Sequence, residues 1–284
     1  MTNHTIIQEI EASGRLPQIP EHFGTIFKML FDPYKHDLSE YEEQFSNFPQ
    51  LEENLLKVLN EVLNPKNKIR TAKDALNYLG VKNTKIISIS YITKLLLAQK
   101  KPGTHLFDSD KYWKHCVGTA ISAYLIAEET KLAADDRMFI HGLIHDIGVT
   151  VLEICLPDLL EKIQELVLKG VHQIAAEKLV LGGLTHGMIG MWLCEKWELP
   201  GEIQTVVGYH HRPLLTQEYI IETKIMHLAD SISTSYYESL IGCDSTFVYA
   251  EMIMEDLDVD KKFVDELLDK LPKEVQRLNR ILVI

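Results

Sequence analysis

Apolar residues recur along this chain at the spacing of amphipathic helices. The segment from Leu51 to Leu63 is the clearest example, because its larger apolar side chains fall on one helical face. No turn of the Asn-Gly type, which would indicate a β-hairpin, occurs anywhere in the sequence. A succession of helical periods without hairpin turns predicts an all-α fold.

A pair of helix breakers divides these helical segments into two groups. The stretch Lys100-Lys101-Pro102-Gly103 has the composition of a linker. Before it, Thr71 is a candidate helix cap and Gly80 a candidate helix end. The sequence therefore predicts a two-lobed protein, with an N-terminal helical lobe over about residues 1–104 and a helical bundle over about residues 105–284.

The charge and composition of the chain limit the classes of partner and the cellular compartment that we expect for the protein. The 284 residues carry a net charge of −12, which argues against nucleic acid as the main partner. The N-terminus has no basic head before an apolar core, and the longest apolar stretch, from Ile86 to Ala98, is too short to span a bilayer. The four cysteines are widely spaced, without a C-x-x-C pair. These features predict a cytoplasmic protein without a membrane segment.

An apolar run from Phe139 to Gly148 carries the first candidate for chemistry. At helical spacing His141 and His145 share a face, and Asp146 follows directly. A neighbouring nitrogen and carboxylate suit a divalent metal. Taken alone, such histidines are more typical of buried groups bonded to a backbone carbonyl than of metal ligands. We expect Gly148 to end this helix.

Further metal-capable residues follow in the second half of the chain, each at a predicted helix end or on an apolar face. His115 lies on a face of small residues that would allow a neighbouring helix to approach closely. His186 opens a helix after Gly182-Gly183. The remaining candidates are His172, His210, His211, His227 and Asp230.

The order of these residues resembles that of the HD superfamily of metal-dependent phosphohydrolases, including its HD-GYP branch. The resemblance to the HDOD (HD-related output domain) family is closer and covers about residues 15–270. It rests on motifs distributed along the chain: Leu16-Pro17-x-x-Pro20, Tyr112-Trp113 before His115, Gly142 to Gly148, Glu177-x-x-x-x-Gly182, Trp197-x-Leu199-Pro200 and His210-His211-x-Pro213.

The resemblance implies an HD-type helical bundle that holds one or two divalent transition-metal ions. Iron, manganese, zinc and nickel suit mixed histidine and aspartate ligands comparably. By position, the core site would consist of His115, His145, Asp146 and Asp230. A second ion would be held by His186, His210 and His211.

The implied function has alternatives. HDOD proteins are generally regarded as non-catalytic signalling domains, whereas other HD proteins hydrolyse phosphoesters. The phosphodiesterases usually carry a lysine where this chain has Val149, and Arg212-Pro213-Leu214-Leu215 replaces their Gly-Tyr-Pro loop. We predict a regulatory protein with signalling protein partners and a structural or sensory metal. The alternatives are a phosphohydrolase acting on a nucleotide or cyclic dinucleotide, with Arg212 as a weak phosphate-binding candidate, and an interaction module with a vestigial site.

Overall fold

Helices account for the regular secondary structure of the protein. The computed structural model describes residues 3–16, 29, 38–63, 65–98, 106–240 and 251–282. No β-strand occurs in these ranges, which confirms the all-α prediction. The α-helices in chain order are α1 (Asn3–Ala12), α2 (Leu38–Ser46), α3 (Pro49–Lys57), α4 (Ala72–Ala98), α5 (Ser109–Thr130), α6 (Asp135–Ile144), α7 (Ile147–Cys155), α8 (Pro157–Leu168), α9 (Gln173–Val180), α10 (His186–Lys196), α11 (Gly201–Tyr209), α12 (Ile220–Leu240), α13 (Glu251–Asp256) and α14 (Lys261–Leu282).

The N-terminal helices begin and break close to the residues predicted from the sequence. Helix α3 continues into a π-helical segment, Val58–Leu63, so the predicted helix over 51–63 is present with a widened end. The Thr71 hydroxyl accepts a hydrogen bond from the Asp74 amide at the start of α4. Gly80 interrupts α4 with φ 72° and ψ 163°, a conformation that glycine adopts without the strain of a Cβ atom. The predicted linker at residues 100–103 lies outside the described residues.

Both predicted lobes contribute to one hydrophobic core. Ile10, Phe45 and Ile89 belong to the same buried cluster as residues of the second half such as Ile140 and Val206. A smaller cluster lies wholly within the first half of the chain and consists of Leu55, Val58, Leu59, Ala75 and Ile87. The domain boundary near residue 104 therefore stays a prediction, because the described cores overlap across it.

Two of the ion pairs between the halves join α4 to the first turn of α6. Lys82 Nζ lies 2.7 Å from Asp135 Oδ2, and the buried Lys85 Nζ lies 3.6 Å from Asp136 Oδ2. The two aspartates also suit the positive end of the helix dipole. Together these contacts fix the start of the helix that leads to His145.

Glycines allow the helices of the second half to approach closely. A Cβ atom at Gly142 on α6 would overlap with the backbone of Thr119 and Ala120 on α5, on the small-residue face predicted from the sequence. The prediction that Gly148 ends the helix of His141 and His145 is wrong. Helix α6 already ends at Ile144, and Gly148 lies in the first turn of α7. A side chain there would overlap with the His186 carbonyl, so this glycine brings α7 against α10 instead of ending a helix.

The segment Asp135–Cys155 is apolar and long enough, by composition alone, to cross a membrane. In the structure it forms α6 and α7, and 94% of its most apolar window is buried inside the protein. The segment is therefore accounted for as part of the core.

Candidate metal centre

Five helices deliver imidazole and carboxylate groups to one place. α5 contributes a residue from its second turn, α10 contributes its first residue, and α12 contributes a residue from its middle. The other four residues directly follow the ends of α6 and α11. All seven predicted metal ligands are brought together: His115, His145, Asp146, His186, His210, His211 and Asp230.

The first half of this cluster centres on His115 and His145. Their Nε2 atoms lie 3.3 Å apart. His115 Nε2 is 3.5 Å from Asp146 Oδ2 and 3.3 Å from Asp230 Oδ1. His145 Nε2 is 3.6 Å from Asp230 Oδ1, although 85 positions separate the two residues in the sequence. The predicted core site is thus a compact set of two nitrogens and two carboxylates.

The second half of the cluster centres on His186. Its Nε2 atom lies 3.1 Å from Asp146 Oδ1, 3.3 Å from His210 Nε2 and 3.1 Å from His211 Nε2. His210 Nε2 is also 3.5 Å from Asp146 Oδ1. Asp146 therefore contacts both halves, with one carboxylate between two groups of histidines.

Hydrogen bonds at Nδ1 orient three of the imidazoles. His145 Nδ1 lies 2.9 Å from the Gly142 carbonyl, and His210 Nδ1 lies 2.9 Å from the Val207 carbonyl. His186 Nδ1 lies 2.7 Å from Glu177 Oε1. Since Nδ1 is bonded to an oxygen acceptor in each case, Nε2 faces the cluster and is the nitrogen available to a metal ion. Both interpretations of His145, a carbonyl-bonded core histidine and a candidate ligand, therefore hold at once.

The electrostatics of the cluster favour charged carboxylates. Burial raises a carboxyl pKa, but the surrounding histidines hold the pKa values of Asp146 and Asp230 well below their usual range. Burial also opposes charging of His115, yet the carboxylates of Asp146 and Asp230 raise its pKa to about 9. Burial lowers the pKa of His210 and of His211. Two anionic carboxylates among imidazole nitrogens form a donor set suited to a cation, which would replace the proton on His115.

The donor atoms fit a transition metal in chemistry and in spacing. Asp146 Oδ1 is buried and accepts no hydrogen bond, although three Nε2 atoms lie within 3.5 Å of it. Ligands about 2.1 Å from one ion are roughly 3.0–3.4 Å apart when the geometry is octahedral or tetrahedral. The separations of 3.1–3.6 Å in the cluster are close to these values. A divalent cation would satisfy the carboxylate oxygen and separate the converging lone pairs.

Other candidate residues lie outside the donor set. His172 is exposed at the start of α9, and His227 donates from Nδ1 to the His210 carbonyl at 2.8 Å. His141 is fully buried one turn before His145, beside Glu202 and Arg137. Arg212 adjoins the cluster in sequence, half-buried, with its guanidinium 6.0 Å from the Tyr209 ring centre.

Two supporting residues could not be identified as such from the sequence. The Tyr112 hydroxyl donates to the Asp146 carbonyl at 2.7 Å, and Glu177 binds His186. Both occur in the motifs that carry the family resemblance, but their spacing from the residues that they contact, Asp146 and His186, follows no helical period. Only the packing of α5 on the α6–α7 break, and of α9 on α10, reveals their roles.

Comparisons with known proteins agree with this architecture. A family model described as HDOD domain matches residues 16–213. No curated protein matches the sequence. A Shewanella amazonensis SB2B structure described as "Putative phosphohydrolase" is 19% identical, with a TM-score of 0.73 over 98% of this chain and 97% of that one. An HDOD domain protein of unknown function from Geobacter sulfurreducens is 20% identical, with a TM-score of 0.67 over 95% and 98%.

A third similar structure belongs to a longer chain. It is described as a "Putative signal transduction protein" from Marinobacter aquaeolei VT8, is 16% identical, and has a TM-score of 0.78 over 99% of this chain and 66% of that one. At these identities the structural likenesses establish the helical fold. The family model, which matches more than half of the chain, establishes the family.

Proposed function

The chain belongs to the HDOD family, and from this premise we propose that it is a cytoplasmic regulatory protein whose histidine and aspartate cluster holds divalent transition-metal ions in a structural or sensory role. Signalling proteins are its proposed partners, and a nucleotide is a further proposed ligand. The observation that carries the metal proposal is the convergence of seven donor residues, among them Asp146, whose buried Oδ1 accepts no hydrogen bond.

The two halves of the cluster supply separate subsites in this proposal. We define the first subsite as His115, His145 and Asp230 and the second subsite as His186, His210 and His211, with Asp146 shared between them. Iron, manganese, zinc or nickel would fit either mixture of nitrogen and oxygen donors. Bound ions would join five helices and so stabilise the folded state by the free energy of binding.

The surroundings of the cluster support a non-catalytic role. Val149 is 6% exposed on α7, so this helix offers no cation to a phosphate where the phosphodiesterases usually have a lysine. His145, His186 and His210 are at most 1% exposed, whereas His211 is 31% and His115 16% exposed. A ligand would therefore reach the cluster past His211, after the end of α11, or past His115 on α5.

A phosphohydrolase acting on a nucleotide or cyclic dinucleotide phosphodiester is the second candidate. Its support is the complete donor set, together with Arg212 next to the most exposed ligand, His211. Metal ions bound there would polarise a phosphoryl oxygen and lower the pKa of a bound water. Arg212 would bind a phosphate oxygen, and the carboxylates of Asp146 and Asp230 would balance the charge of the ions.

The decisive experiment compares the wild type with Asp146→Ala. We expect the variant to lose metal from both subsites, measured by elemental analysis after dialysis, because it lacks the shared carboxylate. At metal concentrations near 100 times the dissociation constant, the wild type should gain about 2.7 kcal/mol of stability that the variant lacks. His172→Ala, an exposed histidine outside the cluster, is the matched control.

The same samples separate the two candidate functions. Metal-loaded wild type is incubated with a generic phosphodiester and with cyclic dinucleotides, and we expect no turnover above the metal-free background. A metal-dependent rate that is lost in Asp146→Ala would replace the regulatory proposal with the phosphohydrolase. A wild type that retains no metal and gains no thermal stability from added ions would contradict the metal centre itself.

A further inference from the structure

Glu177 binds His186 through both of its carboxylate oxygens. Oε1 accepts the proton of His186 Nδ1 at 2.7 Å, and Oε2 accepts the His186 backbone N–H at 2.9 Å. Glu177 is 2% exposed and His186 is fully buried. Two bonds from one carboxylate to one residue leave the imidazole little freedom to rotate or shift.

The local architecture holds the carboxylate in place. Glu177 lies on α9 one turn after Gln173, whose Nε2 donates to Glu177 Oε1 at 3.1 Å. His186 is the first residue of α10, and the positive end of that helix dipole faces the carboxylate. Both Glu177 oxygens act as acceptors, Oε1 from His186 Nδ1 and Gln173 Nε2 and Oε2 from the His186 amide, which is the bonding pattern of an ionised carboxylate. The group that orients His186 is therefore an anion.

The other oriented histidines have neutral partners. His145 and His210 donate from Nδ1 to backbone carbonyls, of Gly142 and Val207 respectively. An anionic acceptor at Nδ1 increases the basicity of the opposite nitrogen and strengthens its bond to a metal. Among these three imidazoles, only His186 has this support, and it belongs to the second subsite alone.

We propose that Glu177 is a positioning residue that sets the metal affinity of the second subsite, so that the two subsites are loaded separately. This inference rests on the proposed metal centre. Without the Glu177 carboxylate, His186 loses its fixed ring orientation and the charge that makes Nε2 a stronger donor. His115, His145 and Asp230 contact one another, with separations of 3.3–3.6 Å, and we expect them to keep this geometry. Loss of Glu177 therefore weakens the second subsite and leaves the first subsite as it is.

Glu177 also caps α10 through the His186 amide, so a purely structural role must be separated from positioning. The Thr185 hydroxyl provides a matched control, because it accepts the Met188 amide at 3.4 Å at the same helix end without contacting the His186 ring. Thr185→Ala weakens the cap and leaves the Nδ1 bond intact. Gln173→Ala removes only the support of the carboxylate and should have a smaller effect than Glu177→Ala.

The experiment titrates metal-free protein with Zn²⁺ in a calorimeter. Wild type, Glu177→Ala, Glu177→Gln and Thr185→Ala are compared, and their metal-free melting temperatures are measured alongside. We expect Glu177→Ala to weaken one of two zinc sites by about 10–100-fold and leave the other unchanged, as outer-shell carboxylates do elsewhere. Glu177→Gln should give a smaller loss at the same site, since one amide oxygen replaces two anionic oxygens. Thr185→Ala should match the wild type.

A second readout reports on the ring itself. In ¹⁵N NMR spectra of the zinc-loaded wild type, His186 should be protonated at Nδ1 and metal-bound at Nε2, and this signature should be lost in Glu177→Ala. Equal affinities in wild type and Glu177→Ala, or equal losses in Glu177→Ala and Thr185→Ala, would overturn the positioning role. A wild type that binds no zinc would instead overturn the metal centre. If Glu177→Ala does not fold, the comparison of Glu177→Gln with wild type decides the inference.

Discussion

His141 and His145 lie one turn apart on the same helical face, but the structure gives them different surroundings. His145 directs Nε2 into the donor cluster, 3.4 Å from Asp146 Oδ1. His141 directs Nε2 towards Glu202 Oε1 at 3.6 Å, and Arg137 Nη1 donates to the other Glu202 oxygen at 2.8 Å. We refer to Arg137, His141 and Glu202 as the rear polar cluster.

The comparison shows that buried histidines near carboxylates are not equivalent. The rear polar cluster already contains a cation, the Arg137 guanidinium. It binds Glu202 and compensates the charge of that carboxylate, which a metal ion would otherwise do. Burial and the charge of Arg137 lower the pKa of His141 to about 3, so it is neutral. The metal centre contains two carboxylates and no arginine bonded to them in the described residues. We therefore interpret the rear polar cluster as structural.

The largest expected effect comes from replacing the two histidines in parallel. His145→Leu should weaken metal binding by at least about 100-fold, since loss of a ligand exceeds the 10–100-fold effect of an outer-shell group. His141→Leu should keep the wild-type metal content, because its ring lies behind the cluster. Elemental analysis and zinc titration check both variants. Similar metal loss in the two would show that the rear polar cluster belongs to the metal centre.

Breaking the ion pair of the rear polar cluster should affect stability rather than metal binding. Arg137→Met leaves the buried Glu202 carboxylate without its closest charge partner, which should cost about 1–3 kcal/mol in chemical denaturation. The loss should be equal with and without metal. Lys196→Met is the control, because its ion pair with Glu11 is exposed and should be worth about 0–1 kcal/mol. A loss confined to the metal-loaded form would contradict a structural role.

The smallest effect concerns the pH dependence of stability. The folded-state pKa of His141, about 3, is below the unfolded value of 6.5, so the unfolded state binds the extra proton first. Stability should therefore decrease as pH falls below 6.5, by about 1 kcal/mol between pH 7 and pH 5.5. The His141→Leu variant has no imidazole to protonate at this position, so it should lack this decrease in stability.

The measurement uses denaturation of metal-free protein at both pH values. Only the difference between wild type and His141→Leu is interpreted, because other cluster histidines titrate in both proteins. The range stays above pH 5.5 because burial raises the pKa of Glu202, which acts in the opposite direction at lower pH. An equal pH dependence in the two proteins would show that His141 is charged in the folded state.

Local patterns predicted much of the fold. Helical periodicity and the absence of hairpin turns were sufficient for the all-α class, and the cap at Thr71 depends on a side chain three residues from the amide it binds. Gly148 shows the limit of such reasoning. Its role depends on the approach of α10, whose first residue is 38 positions further along the chain. The sequence alone does not distinguish a glycine that permits close helix packing from one that ends a helix.

The sequence by itself determined which residues could bind a metal. Residue type identifies the imidazoles and carboxylates, and helical periodicity places them at helix ends and on apolar faces. Only the tertiary structure decided which of them meet. It separated His141 from His145, placed Asp146 between two groups of histidines, and brought Glu177 to His186. The physical reason is that a donor set requires atoms a few ångströms apart on five helices. Helical period relates only residues within one helix, whereas the packing of the helices fixes the distances between them.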